Sequence, residues 1–328
     1  MPTSPLSDEL CQQAVDATLV HGSVSAASRA LSLPYATFQT RVNTAKRRGF
    51  AAKVKSPREF KTALAKRVEG VRIATLDIET APLESYTWGI WEQNVGLDMI
   101  KTEWSILSFS WKWLGEKVEF HSTGGYGADK VRNDLLLVGK LWKLLDEADL
   151  IVAQNGIRFD IKKINARLIM HGFGPYSPIR VIDTLAVAKR RFAFTSNKLE
   201  WQSRYLTDSP KSKHKKFPGF ELWAECLNDN PAAWKEMEKY NKQDVIATEK
   251  LYMRQRSWIP HHPNIGTFNI MGDMQCPTCG AAEVIECGAR VLQSGSYRQY
   301  HCRSCGAWSR GKRMLAVVEA RKVKLNTI

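Results

Sequence analysis

Four places in this chain set reactive side chains at spacings that chemistry can use. Asp77 and Glu79 are two residues apart, so on a strand both project from one face. Two neighbouring carboxylates repel each other unless a cation lies between them, and hard oxygen ligands suit Mg²⁺ or Mn²⁺. A lone Asp-x-Glu serves equally well as an exposed acidic pair at a strand end. Asp160 closes the polar run Gln154-Asn155-Gly156-Ile157-Arg158-Phe159, which follows the apolar segment 149–153. A loop leaving the carboxyl end of a buried parallel strand is where open α/β sheets present their sites. The plain structural role of Asp160 is the N-cap or first turn of a helix. Tyr240 and Asp244 are four apart and share one face of a predicted helix. An Asp beside Val245, Ile246 and Ala247 is costly there unless it is paired or coordinated. Cys276, Cys279, Cys302 and Cys305 form two Cys-x-x-Cys-Gly knuckles separated by 22 residues, a spacing that brings four thiolates onto one tetrahedral Zn²⁺. Cys287 and His301 lie nearby and read as structural.

These residues need elements to hold them. The alternation in 72–79 predicts a strand, with Ala74, Leu76 and Ile78 on the face opposite the carboxylates. Further strands are expected over 104–113 and 117–121, forming a meander with the first. Helices over 131–148 and 160–171 then alternate with strands over 149–153 and 179–183, the pattern of parallel crossovers. A helix over 232–255 closes the region. Asp183, at the end of the last strand, reads as the cap of the helix after it rather than as a fifth catalytic carboxylate. The expected fold class is therefore α/β, a mixed sheet with flanking helices, and that order of strands is the layout of ribonuclease H-like folds.

In chain order DIET, NGIRFD and YNKQD resemble the three motifs of the DEDD (DnaQ-like) 3′→5′ exonuclease superfamily, over roughly residues 72–256. The Tyr four residues before the last Asp, with Lys239 rather than His one position earlier, resembles the tyrosine subgroup (DEDDy). NGIRFDIKKINARL is similar to the second motif of family B polymerase proofreading domains, although no polymerase follows it here. The resemblance implies that Asp77, Glu79 and Asp244 hold one Mg²⁺ or Mn²⁺ ion, and Asp77 with Asp160 a second. It also implies that Tyr240 orients the attacking water together with Glu79, and that Asn155 either contacts the substrate strand or merely closes its loop. Tyr86, Trp88 and Trp91, just downstream, either stack on terminal bases or serve the core. The two knuckles resemble zinc ribbons, with short strands near 283–285 and 299–301 that need the metal to fold.

Upstream, helices over 8–20, 24–31 and 35–48 follow helix-turn-helix grammar. The stretch from Gly22 to Gly49 resembles small DNA-binding domains of regulators and phage proteins. That resemblance implies that Tyr35, Thr37, Gln39, Thr40 and Arg41 face DNA, while Lys46, Arg47 and Arg48 suit phosphates. Three-helix units also serve as packing modules. The implied organisation is a helix-turn-helix domain (1–50), a basic linker (51–71), the nuclease domain (72–258), a zinc ribbon (270–312) and a basic tail (313–328).

The whole chain has 48 Lys and Arg against 33 Asp and Glu, a formal net charge of +15 over 328 residues. With 44% hydrophobic residues it has ample material for cores, which excludes wholesale disorder. The surplus charge favours polyanionic partners. Part of it lies in 189–216, a candidate phosphate channel. Clustered cysteines, with no basic and then apolar leader, fit a reducing cytoplasm, bacterial or phage-infected, better than a disulfide scaffold. The expectation is a metal-dependent 3′→5′ exonuclease acting on single-stranded 3′ ends, of DNA rather than RNA, with a replication or repair protein as a further partner and no membrane. Two rival expectations remain: a DNA-binding regulator with an inert nuclease-like domain, and a ribonuclease or structure-specific endonuclease.

Overall fold

The fold is organised on strand β1, Ile73–Thr80, whose Ala74, Leu76 and Ile78 are buried on one face. The structure is a computed structural model and describes residues 6–20, 24–48, 70–211, 214, 216–268, 274–292 and 295–315. Nearly all of the expected linker 51–71, and the tail beyond Leu315, lie outside the described residues.

After β1 a short pair, β2 (Glu84–Ser85) and β3 (Ile100–Thr102), precedes the long strand β4 (Ile106–Trp113) and then β5 (Glu119–Ser122). Helix α4 (Leu135–Glu147), strand β6 (Leu150–Ala153), helix α5 (Asp160–Met170) and strand β7 (Arg180–Asp183) follow. For chain-order numbering, α1 (Asp8–Val20), α2 (Val24–Ala30) and α3 (Tyr35–Arg47) precede β1. The main sheet has the order β5-β4-β1-β6-β7. β1 pairs antiparallel with β4 and parallel with β6, and β6 pairs parallel with β7, so the expected meander and crossovers are both present.

β1 pairs with β6 only from Ile73 to Thr75. Beyond that point the edge of β1 facing β6 is open, and Asp77 and Glu79 lie on this unpaired half. Strands that part in this way leave a crevice at their carboxyl ends.

The two faces of the sheet are covered differently. Leu137, Val138, Leu141, Leu144 and Leu145 of α4 and Ile164 and Leu168 of α5 pack on the Ala74, Leu76 and Ile78 face. The other face is covered by α9 (Pro231–Gln255), which follows α6 (Thr184–Arg191), α7 (Leu199–Leu206) and α8 (Glu221–Leu227). Helix α9 starts on a Pro at its first turn and an Asn230 cap whose side chain accepts from the Ala232 N–H. Its 25 residues span about 37 Å at the usual rise. Below it β1 and β4 present Thr75, Ser108 and Ser110, small side chains that let a helix backbone approach. Lys112 of β4 donates to Glu249 of α9 at 2.6 Å, with both side chains nearly buried, and this pair fixes the helix along the sheet.

Helices α1, α2 and α3 pack around Ala14, Ala17, Ala27, Phe38 and Val42, and the turn at Ser32 joins the second to the third. At the other end β8 (Val284–Leu292), β9 (Gly295–Cys302) and β10 (Trp308–Met314) form an antiparallel sheet of order β10-β9-β8. The sequence predicts two very short strands here. They are longer, and a third joins them, because β8 and β9 continue past the knuckles as a hairpin whose exposed residues give little apolar signal. The ribbon is tied to the larger unit by the Ile265 N–H, which donates to the Pro277 carbonyl at 2.9 Å.

Removing one partner of a buried ion pair leaves the other charge unsatisfied, at a cost of about 3–5 kcal/mol. Glu249→Ala is therefore expected to lower the unfolding free energy by about 3 kcal/mol in denaturant titration. Replacing both partners, with Lys112→Met and Glu249→Leu, should cost clearly less.

Candidate active site

The unpaired half of β1 and the middle of α9 face each other across the crevice. Oxygen atoms of Asp77, Glu79 and Asp244 all lie within 4.8 Å of one another. Asp77 and Glu79 are half-buried, whereas Asp244 and Asp160 are each only 3% exposed. Each carboxylate is held by a different element. The Asn241 amide donates to Asp77 Oδ2 at 2.6 Å and to the Asp77 carbonyl at 3.3 Å. The Trp223 indole donates to Glu79 Oε2 at 3.2 Å from α8. Asp160 accepts the Ile78 N–H at 3.1 Å, taking up a donor that β6 leaves free on β1.

The loop that delivers Asp160 is built from close contacts. Asn155 has a left-handed backbone, φ 65°, and its N–H donates to Asp183 Oδ1 at 3.0 Å. Gly156 is required by space, since a Cβ there would stand 2.4 Å from the Ala153 side chain. Asp183 also accepts from the Leu185 and Ala186 N–H groups, so it caps α6 as its sequence position predicts. Asn155 closes this loop through its backbone.

Lys211, which the sequence places only among the cations of the candidate phosphate channel 189–216, is a residue of this site. Its ammonium donates to Asp244 Oδ2 at 2.7 Å and to the Tyr240 hydroxyl at 2.8 Å. The segment carrying it is pinned at both sides: the Lys211 N–H donates to Ser203 Oγ of α7, and Gln243 of α9 donates to the Pro210 carbonyl. Within a run of lysines nothing in the sequence distinguishes this one. Trp223 is equally hidden, being one of eleven tryptophans. Asn241 has a legible signal, because it lies three residues before Asp244 on the same helical face. His214, Trp223 and Tyr240 meet edge to face, with ring centroids 5.1–6.1 Å apart, and wall the site on the α8 side.

Burial dominates the electrostatics. It pushes Glu79 up to about 8, with the Asp244 charge adding to it and Lys211 opposing. Burial lifts Asp160 to about 7 against the pull of the Ile78 N–H. Asp77 is raised well above the carboxylate range by burial and then by Asp244, Glu79 and Asp160. Asp244 is raised by burial despite Lys211. Tyr240 is pushed above the ordinary phenol range by burial and by Asp244, so it keeps its proton at neutral pH.

A divalent cation fits this donor set. Asp244 Oδ1 is buried with no hydrogen-bond partner beside two further carboxylates, which is an acceptor in want of a cation. Asp160 stands next to the trio, engaged with β1, rather than within it.

The second cluster is the pair of knuckles. Cys276 and Cys305 Sγ are 3.7 Å apart, and Cys279 and Cys302 Sγ 3.6 Å. A disulfide would bring sulfurs to about 2.05 Å. Zn–S bonds of about 2.3 Å in tetrahedral geometry give an edge of about 3.8 Å, so these four thiols can hold one metal ion. The knuckles repeat one another: Gly280 and Gly306 are both left-handed, and each N–H returns to the carbonyl of its first cysteine at 2.9 Å. Burial would raise Cys302, but the backbone N–H groups of Cys305 and Ser304 and the neighbouring thiols outweigh it and draw Cys302 down to about 7. Cys287 is exposed, and His301 packs against Trp308.

On α3, Tyr35 donates to Gln39, and Gln39 to Asn43, in a ladder along its outer face. Tyr35, Thr37, Thr40, Lys46 and Arg47 are exposed, and Gln39 and Arg41 half-buried. Arg48, also exposed, donates to the Leu6 carbonyl and pairs with Asp8 at 3.4 Å. It ties α3 back to the start of α1, because the helix ends where that carbonyl and carboxylate are within reach.

The RNase H superfamily profile (RNase_H_2) matches residues 111–255. No curated protein matches the chain. Among solved structures, the family B DNA polymerase of the hyperthermophilic archaeon Pyrobaculum calidifontis is similar at 16% identity and a TM-score of 0.41, over 58% of this chain and 26% of that one. The matched profile, the sheet order and the flanking helices make this an RNase H-like α/β domain, joined to a small antiparallel sheet that fits a zinc ribbon. Among the described residues no helix is long and apolar enough to cross a membrane.

Because the folded, metal-free chain holds protons on carboxylates that the unfolded chain would release, this contribution to stability is present below the ordinary carboxylate range. It is lost as the pH rises from about 4.5 through about 8. Thermal unfolding of metal-free protein is expected at progressively lower temperature across that window. Saturating Mn²⁺ should remove the trend, and titrating Mn²⁺ near neutral pH should release protons measurable in weakly buffered solution.

Proposed function

We propose that the chain is a metal-dependent 3′→5′ exonuclease of the tyrosine-type DEDD kind, acting on single-stranded 3′ ends, of DNA in preference to RNA. The observation that supports this most is the gathering of Asp77, Glu79 and Asp244 within 4.8 Å, with Tyr240 one turn away from Asp244 on the same helix. Asp77, Glu79 and Asp244 would hold one Mg²⁺ or Mn²⁺ and Asp77 with Asp160 a second. Such ions, when bound, polarise a water and neutralise charge on the scissile phosphate.

The chain's own residues set the terms. Asn241 and Trp223 each occupy one oxygen of Asp77 and Glu79 and so aim the other. Tyr240 stays protonated, which suits it to orienting a water by hydrogen bonding rather than to abstracting a proton. Lys211 brings a positive charge against Asp244 and Tyr240, offsetting part of the carboxylate repulsion. In this reading α1–α3 grip duplex through Tyr35, Thr37, Gln39, Thr40, Arg41, Lys46, Arg47 and Arg48. The four knuckle cysteines hold one structural Zn²⁺, and the protein works in a bacterial or phage-infected cytoplasm.

With 5′-labelled single-stranded DNA, duplex DNA and RNA, Mg²⁺ or Mn²⁺ should give a ladder shortening from the 3′ end. Asp77→Ala and Asp244→Ala should slow it on the order of 10³-fold. Tight binding without cleavage would instead favour the regulator with an inert domain, and internal cuts the endonuclease. Native mass spectrometry should find one zinc per chain, absent in Cys302→Ser, and freshly purified protein without bound metal would contradict the ribbon's assignment.

A further inference from the structure

Five aromatic rings form a continuous row outside the carboxylate cluster. Trp258 meets Phe192 at 5.6 Å between centroids, Phe192 stacks on Phe194 at 4.8 Å, Phe194 meets Trp201 at 5.5 Å, and Trp201 meets Tyr205 at 4.7 Å. Tyr205 is 64% and Trp258 56% exposed, and the three rings between them are half-buried. A row of this kind buried throughout would be core, but here both ends stand open to solvent.

The charge around the row is mostly positive. Lys189, Arg190 and Arg191 end α6, Lys198 precedes α7 and Arg204 ends it, and all five are exposed. From residue 184 to residue 206 the only carboxylate is Glu200, which lies 3.7 Å from Arg204.

The position of the row is also informative. Beyond Trp258 the chain reaches Ile265, whose N–H bonds the ribbon's Pro277. At the other end Tyr205 sits on the same helix as Ser203, which accepts the N–H of Lys211, whose ammonium touches Asp244. The two ends of the row thus belong to segments that are tied, one to the ribbon and the other to the catalytic crevice.

We propose that the Trp258-Phe192-Phe194-Trp201-Tyr205 row, rimmed by Lys189, Arg190, Arg191, Lys198 and Arg204, is a track that carries single-stranded nucleic acid between the ribbon and the crevice. Unpaired bases stack on exposed rings regardless of sequence, while cations follow the phosphates. Duplex, with its bases already stacked, gains nothing from the rings. The proposal rests on the nucleic-acid reading above but not on cleavage.

The test uses the full chain carrying Asp77→Asn, so that strands survive, and measures affinity by fluorescence anisotropy. Probes are labelled oligothymidylates and oligouridylates of about 5 and about 30 nucleotides. The longer strand should bind more tightly, and Tyr205→Ala with Trp258→Ala should weaken it at least about tenfold while leaving the short one alone. Arg190→Glu with Arg191→Glu, on an exposed helix end, supplies a second reading that does not depend on the packing of the rings. It should lower the slope of log affinity against log salt by about 1.4. The deoxy and ribo arms decide which polymer the track prefers. Unchanged long-strand affinity in both variants, or no binding of the long strand by the parent protein, overturns the track. Failure of the otherwise unmodified protein to cut a strand that it binds overturns only the nuclease reading.

Discussion

Mutual repulsion among carboxylates gathered out of water is the constraint on which the rest of the site depends. Asp77, Glu79 and Asp244 face one another with Asp160 beside them, and burial raises all four. A fold that only needed stability would scatter these charges. This one fixes them from four directions, with Asn241, Trp223, the Ile78 N–H and Lys211 each engaging one carboxylate. Hydrogen bonds to the ionised form lower a carboxylate's proton affinity, yet here they do not overcome desolvation. What would balance the cluster is a divalent charge, which also makes such a cluster useful to phosphate chemistry.

The topology provides the room. β1 lies between an antiparallel and a parallel neighbour and outruns the parallel one after Thr75, so its carboxyl half has one open edge. Helix α9 crosses that edge, held in place by the small side chains of β4 and by the Lys112–Glu249 pair. The loop at Asn155 and Gly156 turns tightly enough to return Asp160 to the Ile78 amide.

Much of this was legible in the sequence. The same-face pair Asp77 and Glu79 follows from strand geometry, Tyr240 and Asp244 from helix geometry, and the four cysteines from their spacing. The order of meander and crossover strands yields the sheet. Contacts between side chains distant in sequence leave no periodic trace, which is why neither Trp223 nor the place of Lys211 beside Asp244 can be read there, although Lys211 belongs to the basic run 189–216. Arg48 shows a related limit, since a cation at a helix end looks alike in sequence whether or not it also meets the Leu6 carbonyl and Asp8. The ribbon's long exposed hairpin was underestimated because an open sheet lacks apolar alternation. The aromatic row is only partly legible, because four of its rings fall within 192–205 while Trp258 comes from beyond α9.

In the proposed function the acidic crevice is a cation site first and a nuclease as a consequence. Counting Mn²⁺ bound per chain by electron paramagnetic resonance, with an uncleavable oligonucleotide present, tests that claim most directly. Two ions are expected at the crevice, one in Asp160→Asn and none in Asp77→Asn. Mn²⁺ uptake that is indifferent to both substitutions would contradict the account.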